Sequence, residues 1–451
     1  DLDENDDTIV EFDSILEAAK GMGIIEKTLR WHYRSRHEAL ISFSNINFYR
    51  NQLNTFPSPY YDGKEFGISY TYVEGYYDRT RTKTVTINGE KKKVTSGSAT
   101  NKNEAKAVAE AAYEHYKHFD TKSLGIGAFS SRQQNAIKDC IEELRIQHSD
   151  FDQWCNSGPQ DKTEEKLFIK NLETIQGDER DVIFISMGYA KDKEGVFRMG
   201  FGPLNQKNGE RRLNVLVTRA KEKVRFFSSV RSSDFDLSKT ESRGAKLLHQ
   251  YIKYAESNGD VSTLDNPYEY SSEVDQDNIF QQGVANELKD LGYQIKEELG
   301  QAGYRIDIAI IDPNNKSKFL LAVECDGASY HSSSTARDRD RIRQSVLENL
   351  GWRFHRIWST DWFQNPDAEM KKLENAIHNI QNNKKISLLE HLKIKQGVKG
   401  AHMIDVSDNK PKKSSISILP YENTPISYLG DKDDLYNIFR YNPEKIRDLI
   451  T

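Results

Sequence analysis

Two carboxylates on either side of a turn, Asp307 and Glu324, make the first chemical suggestion in this sequence. They lie in GYRIDIAIIDPNNKSKFLLAVECDGASYH (Gly303–His331), where the alternating run RIDIAI enters a Pro-Asn-Asn turn and the apolar run FLLAVECDG leaves it. With the turn centred between Asn315 and Lys316, positions equally far from that centre face each other, which sets Asp307 opposite Glu324. Directly opposed residues on antiparallel strands have Cβ atoms about 4.5–5.5 Å apart. Carboxylates that close repel each other unless a cation neutralises them, and oxygen donors suit a hard divalent ion. Mg²⁺ or Mn²⁺ held by Asp307 and Glu324 polarises a phosphodiester and activates a water for in-line attack. Asp326 ends the second strand.

Arginine supplies the second group of candidates. The segment ARDRDRIRQ places Arg337 and Arg341 one helical turn apart, and Arg339 and Arg343 likewise, with Asp338 and Asp340 between them. It reads either as phosphate contacts beside the carboxylates or as a salt-bridged helix face. Upstream stand LRWHYRSRHEALISFSNINFY, IGAFSSRQQNAI, LETIQGDERDVIFIS and RRLNVLVTRAKEKV, each containing Arg amid apolar segments. Trp352, Trp358 and Trp362 read as core.

These residues need a scaffold, and the pattern supplies one. Across residues 9–255, apolar runs such as LGIGAF and DVIFISMGYA are separated by amphipathic segments such as NEAKAVAEAAYEHYKHF, predicting a parallel sheet covered on both faces. RTRTKTVTINGEKKKVTSGSATN (79–101) reads as an exposed hairpin turning at Asn88-Gly89. The stretch 256–277 reads as an acidic linker. Beyond it the pattern predicts helix (280–291), hairpin (304–325), helix (336–350) and strand (353–358), then weakly patterned Lys-rich sequence and a short final helix, NPEKIRDLI. The 451 residues fit several domains, and a formal charge of -5 confines any nucleic-acid contact to local patches. Cys140, Cys155 and Cys325 have no paired spacing and suit a reducing cytoplasm, and no apolar run approaches the ~20 residues of a membrane span.

The order and spacing of the four upstream segments resemble the second RecA-like domain of superfamily 1 helicases, in the branch of the nonsense-mediated-decay helicases. The resemblance implies that Arg34 and Arg219 reach toward nucleotide held by a neighbouring domain and that Tyr33 stacks near the adenine. It implies further that Gln176 and Glu179 couple nucleotide to the nucleic-acid track, which Arg132 and Thr174 contact. An always-charged, planar guanidinium suits the charge spread over a transferring phosphoryl group. A phosphate-cradling loop, G-x-x-x-x-G-K-[ST], is missing from the sequence, so the expectation is half of an ATPase, partnered by an upstream RecA-like domain and unable to hydrolyse ATP alone.

The succession helix, Asp in one strand, Glu-x-Asp ending the next, then helix resembles the PD-(D/E)XK nucleases, in the branch of very-short-patch repair endonucleases. That implies Asp307 and Glu324 as metal ligands and His331 as a general base or outer group at the scissile phosphate. Asp326 stands where the superfamily usually has lysine, and Gln281 follows Phe280 where the family commonly has Phe-Glu. Glu287 is a substitute only from a different helix face. The expected fold class is thus a RecA-like α/β parallel-sheet domain (1–255) followed by a restriction-endonuclease-like α/β domain (278–370) and an extension (371–451). The expected function is Mg²⁺-dependent DNA cleavage coupled, in a longer protein, to ATP-driven translocation, with defence against foreign DNA as the analogous role. The alternatives are a nucleic-acid-binding module with a degenerate nuclease fold and a fragment of an RNA helicase.

Overall fold

The structure is a computed structural model that describes residues 15–32, 34–60, 65–87, 90–265, 277–302, 304–326 and 343–395. Compact packing divides the chain into Asp1–Ser387 and Leu388–Thr451; of the second unit only the end of one helix is described.

The first sheet is wholly parallel, with strand order β1 (Gly67–Tyr72), β7 (Ala220–Ser228), β6 (Arg180–Ser186), β4 (Leu124–Ala128), β5 (Phe168–Asn171). Helices α3 (Lys102–Phe119), α4 (Ser131–Gln147) and α5 (Ser149–Ser157) cover one face, packing Val108, Ile137, Phe151 and Trp154 on Leu124, Ile126 and Phe184. The other face is covered by α2 (Ala39–Phe48), α6 (Gly209–Val217) and α7 (Arg243–Glu256), through Phe43, Leu213, Leu216, Leu248 and Tyr251 on Ile183, Ile185 and Phe226. Burial on both faces explains why the central strands read as unbroken apolar runs. Side-chain caps start three of these helices: Asn101 accepts from Glu104 N, Ser130 from Gln133 N and Ser242 from Ala245 N. The hairpin of β2 (Arg81–Ile87) and β3 (Glu90–Ser96) is a separate two-stranded sheet, and a short helix, α1 (Ile15–Gly21), precedes α2 in sequence.

The second sheet is mixed: β8 (Ile295–Leu299), β9 (Ile306–Asp312) and β10 (Asn315–Asp326) are antiparallel neighbours, and β11 (Phe354–Trp358) adds parallel to β10. On one face α8 (Asp277–Asp290) and the helix Pro366–Lys395 bury Phe280, Val284, Leu288, Leu373 and Ile377 against Ile308, Ile310 and Val323. On the other, Phe56, Leu347 and Trp352 cover Ala309 and Ala322.

Four details depart from the sequence reading. The β9–β10 turn falls at Pro313-Asn314, since Asn315 pairs with Asp312, and register shifts before Leu321 restore the expected pairing. The first part of the 256–277 stretch is packed: α7 runs to Glu256 and Leu264 is in the core. The nuclease-like lobe continues past residue 370, because the helix Pro366–Lys395 contributes Leu373 and Ile377 to its core. The 79–101 insertion is a hairpin whose trailing residues, Thr100 and Asn101, are buried. The Asn88-Gly89 turn, residues 266–276 and the NPEKIRDLI segment lie outside the described residues.

Candidate active site

The two carboxylates meet as the hairpin arithmetic requires. Val323 pairs with Ile308 and Ala322 with Ala309, and the next step of that register sets Glu324 across from Asp307. Strand alternation then puts both carboxylates on the sheet face of Ala309 and Ala322. One oxygen of each is held by the chain: Cys325 N donates to Asp307 Oδ2 at 2.7 Å, and Tyr304 Oη donates to Glu324 Oε1 at 2.7 Å. Glu324 is buried, and loss of solvation together with the neighbouring Asp307 pushes its carboxyl well above the usual range, against the Tyr304 hydrogen bond. The Tyr304 hydroxyl is itself driven up by burial and by the Glu324 charge.

Asp326, the residue in the usual lysine position, forms an ion pair with Arg356, whose Nε lies 3.0 Å from Asp326 Oδ2. Arg356 comes from β11, where it is the register partner of Glu324. A cation is thus present beside Glu324, delivered from a neighbouring strand. Gln281 on α8 donates to the backbone carbonyl of Asp307 at 3.1 Å and to Glu298 Oε1 at 2.8 Å. Glu287 is exposed on another side of the helix. Tyr304, Arg356 and Glu298 were not singled out from the sequence. Tyr304 was within reach, three residues before Asp307, whereas the β10–β11 register that delivers Arg356 leaves no local trace. His331, Arg337 and Arg341 lie outside the described residues. Among the described residues no three His, Cys, Asp or Glu side chains form a metal-holding group.

In the parallel-sheet lobe the described candidate residues gather at two ends of the sheet. At the amino ends of β6 and β7, where Arg180 pairs with Ala220, Arg34 Nε lies 2.9 Å from Glu179 Oε2. Arg219 donates from Nε to Val215 O at 2.7 Å, and burial plus the adjacent Arg34 hold its guanidinium below the ordinary value. Lys221 joins them, 3.5 Å from Glu179. Arg36 takes the structural role, 2.7 Å from buried Glu222. At the carboxyl end of β5, Asn171 holds Thr174 N at 3.2 Å and reaches Ser131 Oγ at 2.9 Å, which brings the Thr174 loop to the start of α4. Exposed Arg132 on that turn donates to Ser98 O at 3.4 Å.

Residues 172–179 join these two ends, carrying Thr174, exposed Gln176 and Glu179 in succession. Parallel strands are ordinarily linked by about a dozen residues or more, so this direct connection from β5 to β6 is unusually short. At the carboxyl end of β6 lies Glu104, fully buried and pushed up to about 7 by burial, accepting from Ser186 Oγ and Gly188 N, each at 2.7 Å. Nothing in the sequence marked Glu104 as more than a helix residue. Tyr33 lies outside the described residues.

Comparison with known families agrees with this division. Residues 12–231 match a family model described as an AAA domain, and residues 280–377 match the restriction-endonuclease-like model REase_MTES_1575. An uncharacterized ATP-dependent helicase of Mycoplasma pneumoniae is 27% identical over 392 residues, and one of Mycoplasma genitalium is 26% identical over 388. A helicase-like AAA domain is fused here to a restriction-endonuclease-like domain. Each alignment covers 84% of this chain and 32% of the relative, so the chain spans about a third of the length of the curated relatives it matches. The C-terminal domain of a possible DNA helicase from a Lactobacillus strain superposes with 12% identity and a TM-score of 0.23, covering 44% of this chain and 86% of that one. A likeness at that score says nothing about fold or function.

Proposed function

We propose that this chain supplies a metal-dependent DNA-cleaving centre to a longer helicase–nuclease, in which the helicase-like half couples cleavage to ATP-driven translocation. One observation carries the reading: the β9–β10 register brings Asp307 and Glu324 together on one sheet face, one of them buried. Like charges set this close, with one of them buried, persist when a cation compensates them, and the donors are oxygens, which fits Mg²⁺ or Mn²⁺. Bound there, the ion would lower the pKa of a coordinated water and polarise the phosphodiester. The chain's own part is orientation: Cys325 N and Tyr304 Oη each fix one carboxylate oxygen. The Arg356–Asp326 pair stands beside Glu324, close enough for its guanidinium to engage a phosphate oxygen in place of the missing lysine. His331 remains assigned to the scissile phosphate on resemblance, and Arg337 and Arg341 to neighbouring phosphates on their one-turn spacing in the sequence.

In the other half, Arg34 and Arg219 are proposed to meet ATP held by an upstream RecA-like domain, with Tyr33 at the base. Gln176 and Glu179 would relay its state along residues 172–179 to Thr174 and Arg132 on the nucleic-acid side. Assignment to the cytoplasm rests on three free thiols, Cys140, Cys155 and Cys325.

A second reading, a non-cleaving binding module, is favoured by Gln281 in place of the family's glutamate and by the absence of a third metal ligand among the described residues. The test is plasmid nicking by the purified chain with Mg²⁺ or Mn²⁺, with single-stranded RNA as competitor substrate. Asp307→Ala and Glu324→Ala should each abolish cleavage while the thermal midpoint holds or rises, because removing one charge relieves repulsion. Cleavage at the parent rate by both variants places the metal elsewhere. A parent chain that binds DNA and never cuts it favours the module, and preference for RNA favours an RNA helicase fragment.

A further inference from the structure

The segment Leu53–Tyr60 belongs to the helicase-like half by sequence and to the nuclease-like lobe by packing. Phe56 is buried among Ile306, Ala309, Phe319, Ala322 and Trp352, on the sheet face that carries Asp307 and Glu324. Hydrogen bonds fix the segment along its length. Thr55 N donates to Ala302 O at 2.8 Å, Trp352 Nε1 to Pro57 O at 2.8 Å and Phe319 N to Pro59 O at 2.8 Å. Prolines at 57 and 59 lack an N–H, so those two residues offer the nuclease-like lobe backbone acceptors and no backbone donors. Glu38, buried at the start of α2, accepts from Thr55 Oγ1 at 2.6 Å and from Gln301 N at 3.2 Å, which binds both lobes to one carboxylate.

Two contacts continue from Phe56 in opposite directions. On one side its ring lies 6.5 Å from that of Tyr304, whose hydroxyl donates to Glu324. On the other it stacks on Trp31 at 5.7 Å. The Trp31 stretch is laced to the strap, with His32 N donating to Asn54 O at 3.0 Å and Asn54 N to Arg30 O at 2.5 Å. Arg34, at the proposed nucleotide end, follows His32 by two residues.

We propose that Tyr304 is a positioning residue for the carboxylate pair and that Phe56, contributed by the helicase-like half, sets its orientation. The proposal rests on the nuclease reading above. A hydroxyl donor that fixes a ligating carboxylate governs how well the pair fits an ion, and a ring held from the other lobe makes that fit depend on where Trp31 and the Arg34 segment stand. Coupling of this kind is reciprocal: metal in the carboxylate pair also favours the strap's seated position.

The experiment uses the full chain, with Mn²⁺ titrated calorimetrically and Mn²⁺-dependent cleavage resolved into kcat and KM. Tyr304→Phe keeps the ring and removes the donor; Phe56→Ala removes the ring that holds it. Each should weaken Mn²⁺ binding or kcat by about 10- to 100-fold, as removal of a ligand's hydrogen-bond partner typically does, with KM for DNA unchanged. The double variant should be little worse than either single, because both act through one hydrogen bond. Should Phe56→Ala fail to fold, Phe56→Leu takes its place in the cycle. Parent-like Mn²⁺ affinity and kcat in Tyr304→Phe overturn the role of Tyr304. Additive effects overturn control by Phe56. A parent that neither binds Mn²⁺ nor cuts overturns the nuclease reading and this proposal with it, an outcome visible before any variant is compared.

Discussion

Glu38 illustrates how a single buried group sets a solution property. Loss of solvation pushes its carboxyl up to about 7, although Thr55 and Gln301 donate to it. The folded chain therefore holds this proton more tightly than the unfolded chain, whose value is near 4.5. The stability this contributes is complete below that unfolded value and is lost as pH rises toward 7. Buried Glu104, also pushed up to about 7, acts with the same sign over the same window. The thermal midpoint should accordingly fall between pH 4.5 and 7, and Glu38→Gln should remove part of the fall and raise the midpoint at pH 8. The size is roughly 1.4 kcal/mol per pH unit while the group titrates. Melting curves of parent and variant across that range decide it; an unchanged slope means Glu38 ionises in the fold as it does in water. Neither glutamate stood out in the sequence, since a carboxylate near a helix start ordinarily reads as a solvated cap. Asp307 and Glu324 did stand out, because strand pairing turns two sequence positions into one place.

At the scale of elements, β4 shows how closely the parallel sheet is packed. A Cβ at Gly127 would meet Leu216 Cδ1 at 2.4 Å, and one at Gly125 would meet Phe168 Cζ at 2.3 Å. The run LGIGAF was readable as a strand, but the reason for its two glycines lies in α6 and β5, far away in sequence. Gly127→Val should destabilise the helicase-like half by about 1–3 kcal/mol, the usual range for overpacking a filled core. Denaturant unfolding of the full chain checks this, and an unchanged midpoint would mean Leu216 has room to turn aside. Most elements were legible from period and turn residues: the parallel run, the hairpin, α8 and β11. Two were missed. IKEEL (β8) is a short, charge-rich edge strand, and such a strand carries a weak alternating signal. In the helix Pro366–Lys395 the apolar positions Met370, Leu373, Ile377 and Ile380 do recur at helical spacing, but the surrounding Asn and Lys obscured them. The Leu53–Tyr60 strap was illegible for a different reason, since its partners are some 250 residues downstream and Pro-rich extended chain looks like loop.

At the scale of the whole molecule, the arginines at the amino end of the parallel sheet face a division of labour. Arg34 and Arg219 are brought together around Glu179, and burial holds Arg219 in a fixed pose through Val215 O and Thr218 Oγ1. Such groups stabilise charge on a transferring phosphoryl but do not cradle the phosphates, and the sequence has no G-x-x-x-x-G-K-[ST] loop to do so. On the reading proposed above, these like charges are poised for an anion that a second domain delivers. The chain alone should therefore turn over no ATP, with or without DNA. In a longer protein carrying a phosphate loop, Arg219→Ala should lower kcat for ATP by about 10³-fold or more, the scale found for a guanidinium that acts on the transferring group. Nucleotide binding should change far less, because the phosphates are held from the other side. Steady-state hydrolysis and binding of a labelled nucleotide measure the two quantities separately. Turnover by the purified chain that disappears in Arg219→Ala would show a complete site within these 451 residues and overturn the division. A loss of binding as large as the loss of kcat would instead make Arg219 a nucleotide-holding residue, with charge stabilisation left to Arg34.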